Sequence, residues 1–228
     1  MLRPSLFAAA LALLPLAAPA AAQTENDAQA WVNLTAMGSI KDRLVYFAEV
    51  QPRAADDASR LDQLLLRPAI GWKLSDRVTV YQGYARVLTY VGDRDTRRED
   101  RSFQQVTWTL PQGRRAEIQS RTRLEQRWRD DGDDMGLRLR EMIRGEIAFS
   151  DTGRGVRALG YAELFVGLNR TDWNTRPGFD QLRSFVGVEL PVGGRSTLEA
   201  GYLNQLVDRS GRAVRMNHVA SLALFVRH

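Results

Sequence analysis

Charged residues that could bind small anions, or one another, alternate along several segments of this sequence. The clearest row contains Arg121, Arg123, Glu125 and Arg127, which occupy every second position. The guanidinium group of Arg stays charged, and its planar fork binds a carboxylate or a phosphate through two parallel hydrogen bonds. Such a row can therefore pair with Glu on a neighbouring segment or bind an anion.

The spacing of these charges predicts β-strands. Residues 115–128 have one polar and one mostly apolar face if extended, whereas a helix would scatter the charge around its whole circumference. A less regular period of two predicts further strands with assignable faces in residues 43–53, 63–74, 137–149, 157–168 and 181–190. Strands without a clear face are predicted in residues 30–37, 77–87, 99–110, 196–207 and 214–226.

The polar faces of these strands define a charged lumen if they point inward. Unpaired burial of many charges would be expensive, so mutual pairing or retained water is required. One interpretation is a salt-bridged lumen that holds the barrel shut, because such networks commonly fill small barrels. The predicted lumen residues are Glu49, Arg53, Arg67, Glu117, Arg121, Arg123, Glu125, Arg127, Arg138, Arg140, Arg144, Glu146, Arg157, Glu163, Arg183 and Glu189.

A basic constriction is the alternative interpretation of the same residues. Anion and phosphate channels use rings of Arg and Lys, so an incomplete network could pass or bind small anions. The most positive stretch is predicted where two neighbouring strands face each other, with Glu117, Glu125 and Glu146 nearby to neutralise part of the field. Its arginines are Arg121, Arg123 and Arg127 on one strand and Arg138, Arg140 and Arg144 on the next.

The connections between the predicted strands differ in length. Tight turns are predicted at residues 75–76, 111–113 and 192–194, where Ser, Asp, Pro and Gly are frequent. Short and long connections alternate along the chain, as in transmembrane barrels with short periplasmic turns and long external loops. The predicted long loops are residues 54–61, 88–98, 129–136, 169–179 and 208–213.

The beginning of the chain has the features of a cleaved signal peptide. Arg3 supplies a positive charge, residues 6–18 are apolar, and Ala20-Ala21-Ala22 is a small-residue pattern that signal peptidase cuts. The apolar run contains Pro15 and is shorter than the ~20 residues of a transmembrane helix. We therefore expect a signal peptide at residues 1–22 and one exported domain at residues 23–228.

The expected fold is all-β, an antiparallel up-and-down transmembrane barrel with a lumen rich in Arg and Glu. A soluble β-sandwich or lipocalin-like barrel also shows period two. The signal peptide, the strand length and the aromatic residues near strand ends favour the bacterial outer membrane. These aromatic residues are Trp72, Tyr81, Trp108, Trp128 and Phe149.

The expected number of strands is about ten, with twelve as the alternative, because bacterial barrels have even numbers. Residues 30–37 are then a short extra strand, a segment folded into the lumen, or a sign of a twelfth strand. In the last strand Ala220, Leu222, Leu224 and Val226 alternate and could face lipid. Outer-membrane lipid and the barrel-assembly machinery are the expected partners, together with small anions if the lumen binds them.

Other classes of function find little support in the composition. The chain contains no cysteine, which excludes disulfides, thiolate metal sites and cysteine nucleophiles. Its 32 basic residues are interleaved with 27 acidic ones, which argues against a face that binds nucleic acid. The sequence shows no metal-ligand cluster and no glycine-rich phosphate loop, so no metal or cofactor is expected.

Enzymatic activity is not expected either. Small barrels include phospholipases, lipid A deacylases, palmitoyltransferases and omptin proteases, and hydrolysis there needs a histidine with a serine or with acids. The chain has two histidines, His218 and His228. His228 is terminal, and His218 is three residues from Ser221, which places the two side chains on opposite faces of a strand.

A series of short motifs runs through almost the whole chain beyond residue 22. They are Trp31, Glu49-x-Gln51-x-Arg53, Leu65-Leu66-Arg67-Pro68 before Gly71, Gly83-Tyr84, Glu99-x-Arg101, Gln104-Gln105, Arg121-x-Arg123-x-Glu125-x-Arg127 and Gly201-Tyr202. In type and order they resemble a family of exported bacterial proteins known as domain of unknown function 2490. The resemblance implies an outer-membrane-type barrel without an assigned activity.

Overall fold

The computed structural model describes residues 24–92, 95–152, 154–209 and 214–228, and these residues form strands and their connections. The expected signal peptide at residues 1–22 lies outside the described residues. The described part of the chain contains no helix long and apolar enough to cross a membrane. Its strands are β1 (Thr24–Lys41), β2 (Leu44–Ala55), β3 (Arg60–Lys73), β4 (Val78–Val91), β5 (Asp95–Gln112), β6 (Ala116–Arg129), β7 (Gly136–Ala148), β8 (Arg157–Gly167), β9 (Gly178–Gly193), β10 (Ser196–Val207) and β11 (Val214–Arg227).

The strands form one closed barrel, which confirms the all-β, up-and-down architecture. Each strand pairs antiparallel with its neighbours in the chain, whereas β1 and β11 close the barrel in parallel. Along this parallel seam Thr24 lies opposite Val214, and Met37 lies opposite Arg227. The described ranges contain eleven strands, which is an odd number. Since successive strands run in opposite directions, β1 begins at one end of the barrel and β11 finishes at the other.

The expected count of ten or twelve strands is wrong, because the described residues form eleven. Residues 30–37 are not a segment in the lumen. They belong to an extra, eleventh strand, as one alternative expected, but this strand, β1, is 18 residues long instead of short. Between residues 29 and 35 the inner face of β1 carries Gln29, Trp31, Asn33 and Thr35, which are uncharged. The alternation of charge that marks other strands is therefore missing, and period two alone did not show the length of β1.

The two ends of the barrel have different connections. We call one the turn end, with connections at residues 42–43, 74–77, 113–115, 149–156 and 194–195. We call the other the loop end, with connections at residues 56–59, 92–94, 130–135, 168–177 and 208–213.

The expected lengths of several loops need correction. Residues 88–91 and 95–98 belong to strands, where Thr89 pairs with Arg97, so the expected loop at residues 88–98 is too long. Residues 54–55 and 60–61 likewise belong to β2 and β3. The polar residues in these ranges predict loops, but their backbone groups continue the hydrogen bonding between neighbouring strands. The connection at residues 149–156, at the turn end, is longer than the connection at residues 56–59, at the loop end. Short and long connections therefore alternate only in part.

Inward and outward side chains alternate along the strands. In β6, Arg123 and Glu125 lie inside the barrel and are almost fully buried, whereas Ile118 and Trp128 lie on the outer face and are exposed. The outer face of the barrel carries many other exposed apolar side chains, among them Ile70, Ile143, Val186 and Leu222. The charged side of the strands thus faces inward, and the apolar side faces outward.

The aromatic residues near the strand ends divide between the two faces. Trp72, Trp108, Trp128 and Phe149 are exposed on the outer face. Tyr81 is different, because its ring lies inside the barrel with its centroid 5.3 Å from that of Phe47. The expected place of Tyr81 in an outer aromatic girdle is therefore wrong.

Polar side chains on the outer face bond to one another. Gln104 donates to Gln82 (2.8 Å), and Gln126 donates to Gln104 (2.9 Å), so a row of amides crosses β4, β5 and β6. Glu141 interrupts the alternation of β7 because it points outward, where it accepts a hydrogen bond from Ser120 (2.7 Å). These polar groups have partners on the barrel itself.

The Gly83-Tyr84 motif reflects close packing inside the barrel. A Cβ atom on Gly83 would lie 2.1 Å from the ring of Phe103, which is completely buried. Phe103 stacks with Phe47 at 6.3 Å between ring centroids, and Ala69 completes this cluster. Only glycine leaves room for the phenylalanine ring at this position.

Candidate functional site

The lumen contains two cavities with an arginine-rich layer between them. The turn-end cavity measures about 640 Å³ and the loop-end cavity about 260 Å³. The side chains that border both cavities mark the layer between them. We call this layer the partition, and it consists of Trp31, Arg53, Arg67, Arg140 and Arg183.

Two buried carboxylates bind arginines in the partition and next to it. Glu125 is 1% exposed and accepts hydrogen bonds from Arg138 Nη2 and Arg140 Nη1, both at 2.6 Å. Glu163 accepts from Arg140 Nη2 at 2.7 Å and from Arg121 Nη2 at 2.8 Å. Arg140 therefore links the two carboxylates into one network.

The register of the β6–β7 hairpin places two arginines opposite each other at one level. Arg123 lies opposite Arg140, whereas Glu125 lies opposite Arg138. The carboxylate of Glu125 thus lies within the row of arginines that the sequence predicts to be most positive. Glu125 therefore neutralises much of the positive charge of this hairpin.

Further ion pairs lie around this network. Glu49 and Arg67 are opposite each other on β2 and β3, and Arg67 Nη1 donates to Glu49 at 2.7 Å. Glu99 accepts hydrogen bonds from Arg101 (2.8 Å) and Arg127 (2.6 Å). Each of these carboxylates neutralises one or two neighbouring guanidinium groups.

The wall of the turn-end cavity carries a second charged group, which is richer in carboxylates. Arg144 lies within 3.0 Å of Glu146 and within 2.9 Å of Glu199. Glu189 lies opposite Glu199, and Glu117 lies opposite Glu146, on neighbouring strands. The lumen is thus zoned, with arginine in excess at the partition and glutamate near the turn end.

The predicted lumen residues belong to these two groups. The structure brings together at the level of the partition Glu49, Arg53, Arg67, Arg121, Arg123, Glu125, Arg127, Arg138, Arg140, Glu163 and Arg183. It places nearer the turn end Glu117, Arg144, Glu146, Arg157 and Glu189. Sequence alternation identifies a face, but it does not give the level of a residue along the barrel axis.

Several residues of the site escape sequence reasoning. Glu99 and Arg101 point inward, but the intervening Asp100 obscures their alternation. Glu199 is a single charge on the inner face of β10, and Asp180 is an ion-pair partner of Arg138 at 3.0 Å near the start of β9. Only Glu99 and Arg101 give a signal in the sequence, through their i, i+2 spacing.

At the loop end, two connections are joined around one tryptophan. Trp173 is 5% exposed, and its indole N–H donates to the backbone carbonyl of Asp134 at 2.7 Å. The backbone N–H groups of Asp133 and Asp134 donate to the carboxylate of Asp172 and hold the pKa of that carboxyl below its usual range. The guanidinium carbon of Arg129 lies 5.1 Å from the Trp173 ring centroid. Residues 130–135 and 168–177 therefore pack as one unit.

The two histidines lie away from the lumen network. His218 points outward, where its Nδ1 lies 2.6 Å from the hydroxyl of Tyr202. Ser221 lines the turn-end cavity, on the opposite side of β11. His228 Nε2 lies 2.5 Å from the hydroxyl of Tyr46. In the described part of the chain, no group of three or more His, Cys, Asp or Glu residues is arranged to hold a metal ion.

Comparison with known proteins gives a family and a relative. The family described as "Protein of unknown function (DUF2490)" matches residues 28–217. The chain is 48% identical over 223 residues to an uncharacterized protein of Methylorubrum extorquens, and the alignment covers 98% of this chain and 97% of the relative. No solved structure matches the chain.

Substitution of Glu125 tests how strongly the network stabilises the barrel. We expect Glu125→Gln to lower the free energy of unfolding by about 3–5 kcal/mol, because it removes the charge of the buried carboxylate that Arg138 and Arg140 share. Urea titration of the purified protein, followed by tryptophan fluorescence, measures the change. Glu25→Gln is the matched control, since Glu25 is exposed and such surface pairs contribute about 0–1 kcal/mol. Equal unfolding midpoints for Glu125→Gln and the wild type would contradict the assigned role of the network.

Proposed function

The chain belongs to the DUF2490 family of proteins of unknown function, and we propose that it is an outer-membrane β-barrel whose partition keeps the lumen largely closed. The proposed role is structural or the handling of small solutes, without enzymatic activity and without a cofactor. The observation that carries the proposal is the polarity of the barrel, with charged side chains inside and apolar side chains outside.

The outer face supports placement in a lipid bilayer. Phe149 and Val186 are each 64% exposed, and Ile143 is 60% exposed. A soluble protein rarely exposes such extensive apolar surface, whereas a transmembrane barrel places it against lipid. Trp108 and Trp128 lie on this face as well, as expected for residues at the membrane interface. Outer-membrane lipid is thus the proposed partner of this surface.

Export and assembly complete the proposal. The expected signal peptide at residues 1–22 would deliver the chain across the inner membrane. The outward row Ala220, Leu222 and Leu224 of β11 fits recognition of a C-terminal strand by the barrel-assembly machinery. We propose that the loop end faces outward and the turn end faces the periplasm, because the longest connection, at residues 168–177, lies at the loop end.

Cell fractionation tests the proposed location. We expect the mature protein in the outer-membrane fraction, with faster gel mobility before heating than after it, because a folded barrel resists unfolding in detergent. A known periplasmic protein of the same cells serves as the control. Recovery of the protein in the soluble periplasmic fraction would contradict the proposal.

A narrow anion-binding or anion-conducting pore is the second candidate. The observation that favours it is the excess of arginine at the partition, where Arg53 has no carboxylate within 4 Å among the described residues. Basic residues at a constriction select anions. The same layer could therefore pass chloride or phosphate if it were less tightly packed.

Planar-bilayer recordings distinguish the closed barrel from the pore. We expect no steady conductance from the refolded wild type in high salt, and new conductance from Arg53→Ala/Arg183→Ala, because that double variant widens the partition without orphaning a paired carboxylate. Arg98→Ala is the control, since Arg98 is exposed at the outer edge of β5. Steady anion-selective conductance of the wild type would contradict the closed barrel and support the pore.

A further inference from the structure

Two arginines of the partition share one tryptophan ring. The guanidinium carbon of Arg53 lies 3.9 Å from the centroid of Trp31, and that of Arg183 lies 5.1 Å from it. Trp31 is 3% exposed, and its indole N–H is already bonded to Gln29 at 2.9 Å. The ring therefore acts as a fixed platform beside two positive charges.

The guanidinium group of Arg53 has amide partners only. Its Nη2 donates to Gln51 at 2.7 Å, and its Nη1 donates to Gln63 at 3.2 Å. Arg53 is buried, with 8% of its surface exposed, and its Nε has no hydrogen-bond partner. A buried cation bonded to neutral amides alone lacks the counter-charge that such burial normally requires.

Arg183 is also incompletely compensated. Its one acidic neighbour among the described residues is Glu163, at 3.8 Å, which is too long for a hydrogen bond. Glu163 already accepts short hydrogen bonds from Arg140 and Arg121. The Nε of Arg183 has no hydrogen-bond partner either. Two neighbouring cations thus leave donor groups unused.

Both arginines border open space, and this space has an apolar wall. Arg53 and Arg183 line the turn-end cavity and the loop-end cavity alike. The turn-end cavity is also lined by Phe185 and Leu203, which pack against Trp31 in one cluster. A ligand held by the guanidinium groups would therefore lie next to aromatic and aliphatic side chains.

We propose that Arg53, Arg183 and Trp31 form a binding site for a small organic carboxylate with an apolar body. The carboxylate accepts hydrogen bonds from the terminal Nη groups of the two arginines, which carry N–H donors beyond those already bonded, and the apolar body occupies the turn-end cavity against Phe185 and Leu203. A phosphate fits less well, because Phe185 and Leu203 offer no donors for its remaining oxygens. The site gives a ligand class to the solute-handling role and rests in part on that proposed function.

Calorimetric titration with benzoate tests the site on the full mature chain, refolded in detergent micelles. We expect saturable binding of benzoate, with empty micelles subtracted. Arg53→Gln and Arg183→Gln should each weaken binding about tenfold or more, because each loses charge-assisted hydrogen bonds. Arg98→Gln, on an exposed arginine outside both cavities, should bind as the wild type does. Heat-modifiable gel mobility identifies the folded variants.

Two further ligands test the wild type without any substitution. Benzamide has nearly the same shape as benzoate but carries no charge, and inorganic phosphate has the charge without the apolar body. We expect both to bind at least tenfold more weakly than benzoate. Equal binding of benzamide, or tighter binding of phosphate, would overturn the assignment even if the variants failed to fold.

The remaining outcomes overturn the inference or the proposed function separately. A folded barrel in the outer membrane that binds no benzoate, or binds it unchanged in Arg53→Gln and Arg183→Gln, overturns the carboxylate site and leaves the membrane barrel intact. A soluble periplasmic protein that binds benzoate through these arginines overturns the membrane barrel and keeps the site. Equal loss of binding in Arg98→Gln would show that the attraction is not specific to the partition, which also overturns the site.

Discussion

The pairing of Glu125 with Arg138 and Arg140 is the interaction on which the rest of the structure depends. All three side chains are buried inside a closed sheet, where an unpaired charge costs several kcal/mol. Because Arg140 also binds Glu163, ion pairs join the neighbouring strands β6, β7 and β8 on the inner face of the sheet. Arg140, which belongs to the partition, is thus held in place by two buried carboxylates.

The same constraint explains what the partition leaves incomplete. Carboxylates next to the partition are shared among several arginines, as Glu163 is shared by Arg140 and Arg121. Arg183 is therefore left at 3.8 Å from its nearest acid. The network thus pairs Arg138 and Arg140 closely with Glu125 and leaves Arg183 without a short ion pair, and the proposed anion site depends on this difference.

Much of the fold could be predicted from the sequence, because alternation reports directly on a strand with one buried face. Residues 115–128 contain period two in both charge and hydropathy, and β6 occupies nearly the same range, Ala116–Arg129. The family resemblance drawn from short motifs is confirmed as well. The sequence predicts a barrel but not its parallel seam, because the pairing of Ala30 with Ala220 joins strands that are far apart in the chain.

The candidate site could be predicted only as a face. The i, i+2 spacing of Arg121, Arg123 and Glu125 identifies inward residues, but the level at which Trp31 meets Arg53 and Arg183 depends on the registers of distant strands. Tyr81 shows the same limit, because an aromatic residue near a strand end can point to either face. Register and closure, which are tertiary properties, decide which predicted residues meet.

The polarity of the barrel can be measured through its five tryptophans. Single-tryptophan variants, with the others replaced by phenylalanine, would be refolded into vesicles that contain brominated lipids. The membrane barrel predicts strong quenching of Trp72, Trp108 and Trp128, which are exposed on the outer face, and little quenching of the buried Trp31 and Trp173. Quenching of Trp31 as strong as that of Trp108, or an absence of quenching at all outward tryptophans, would contradict the account.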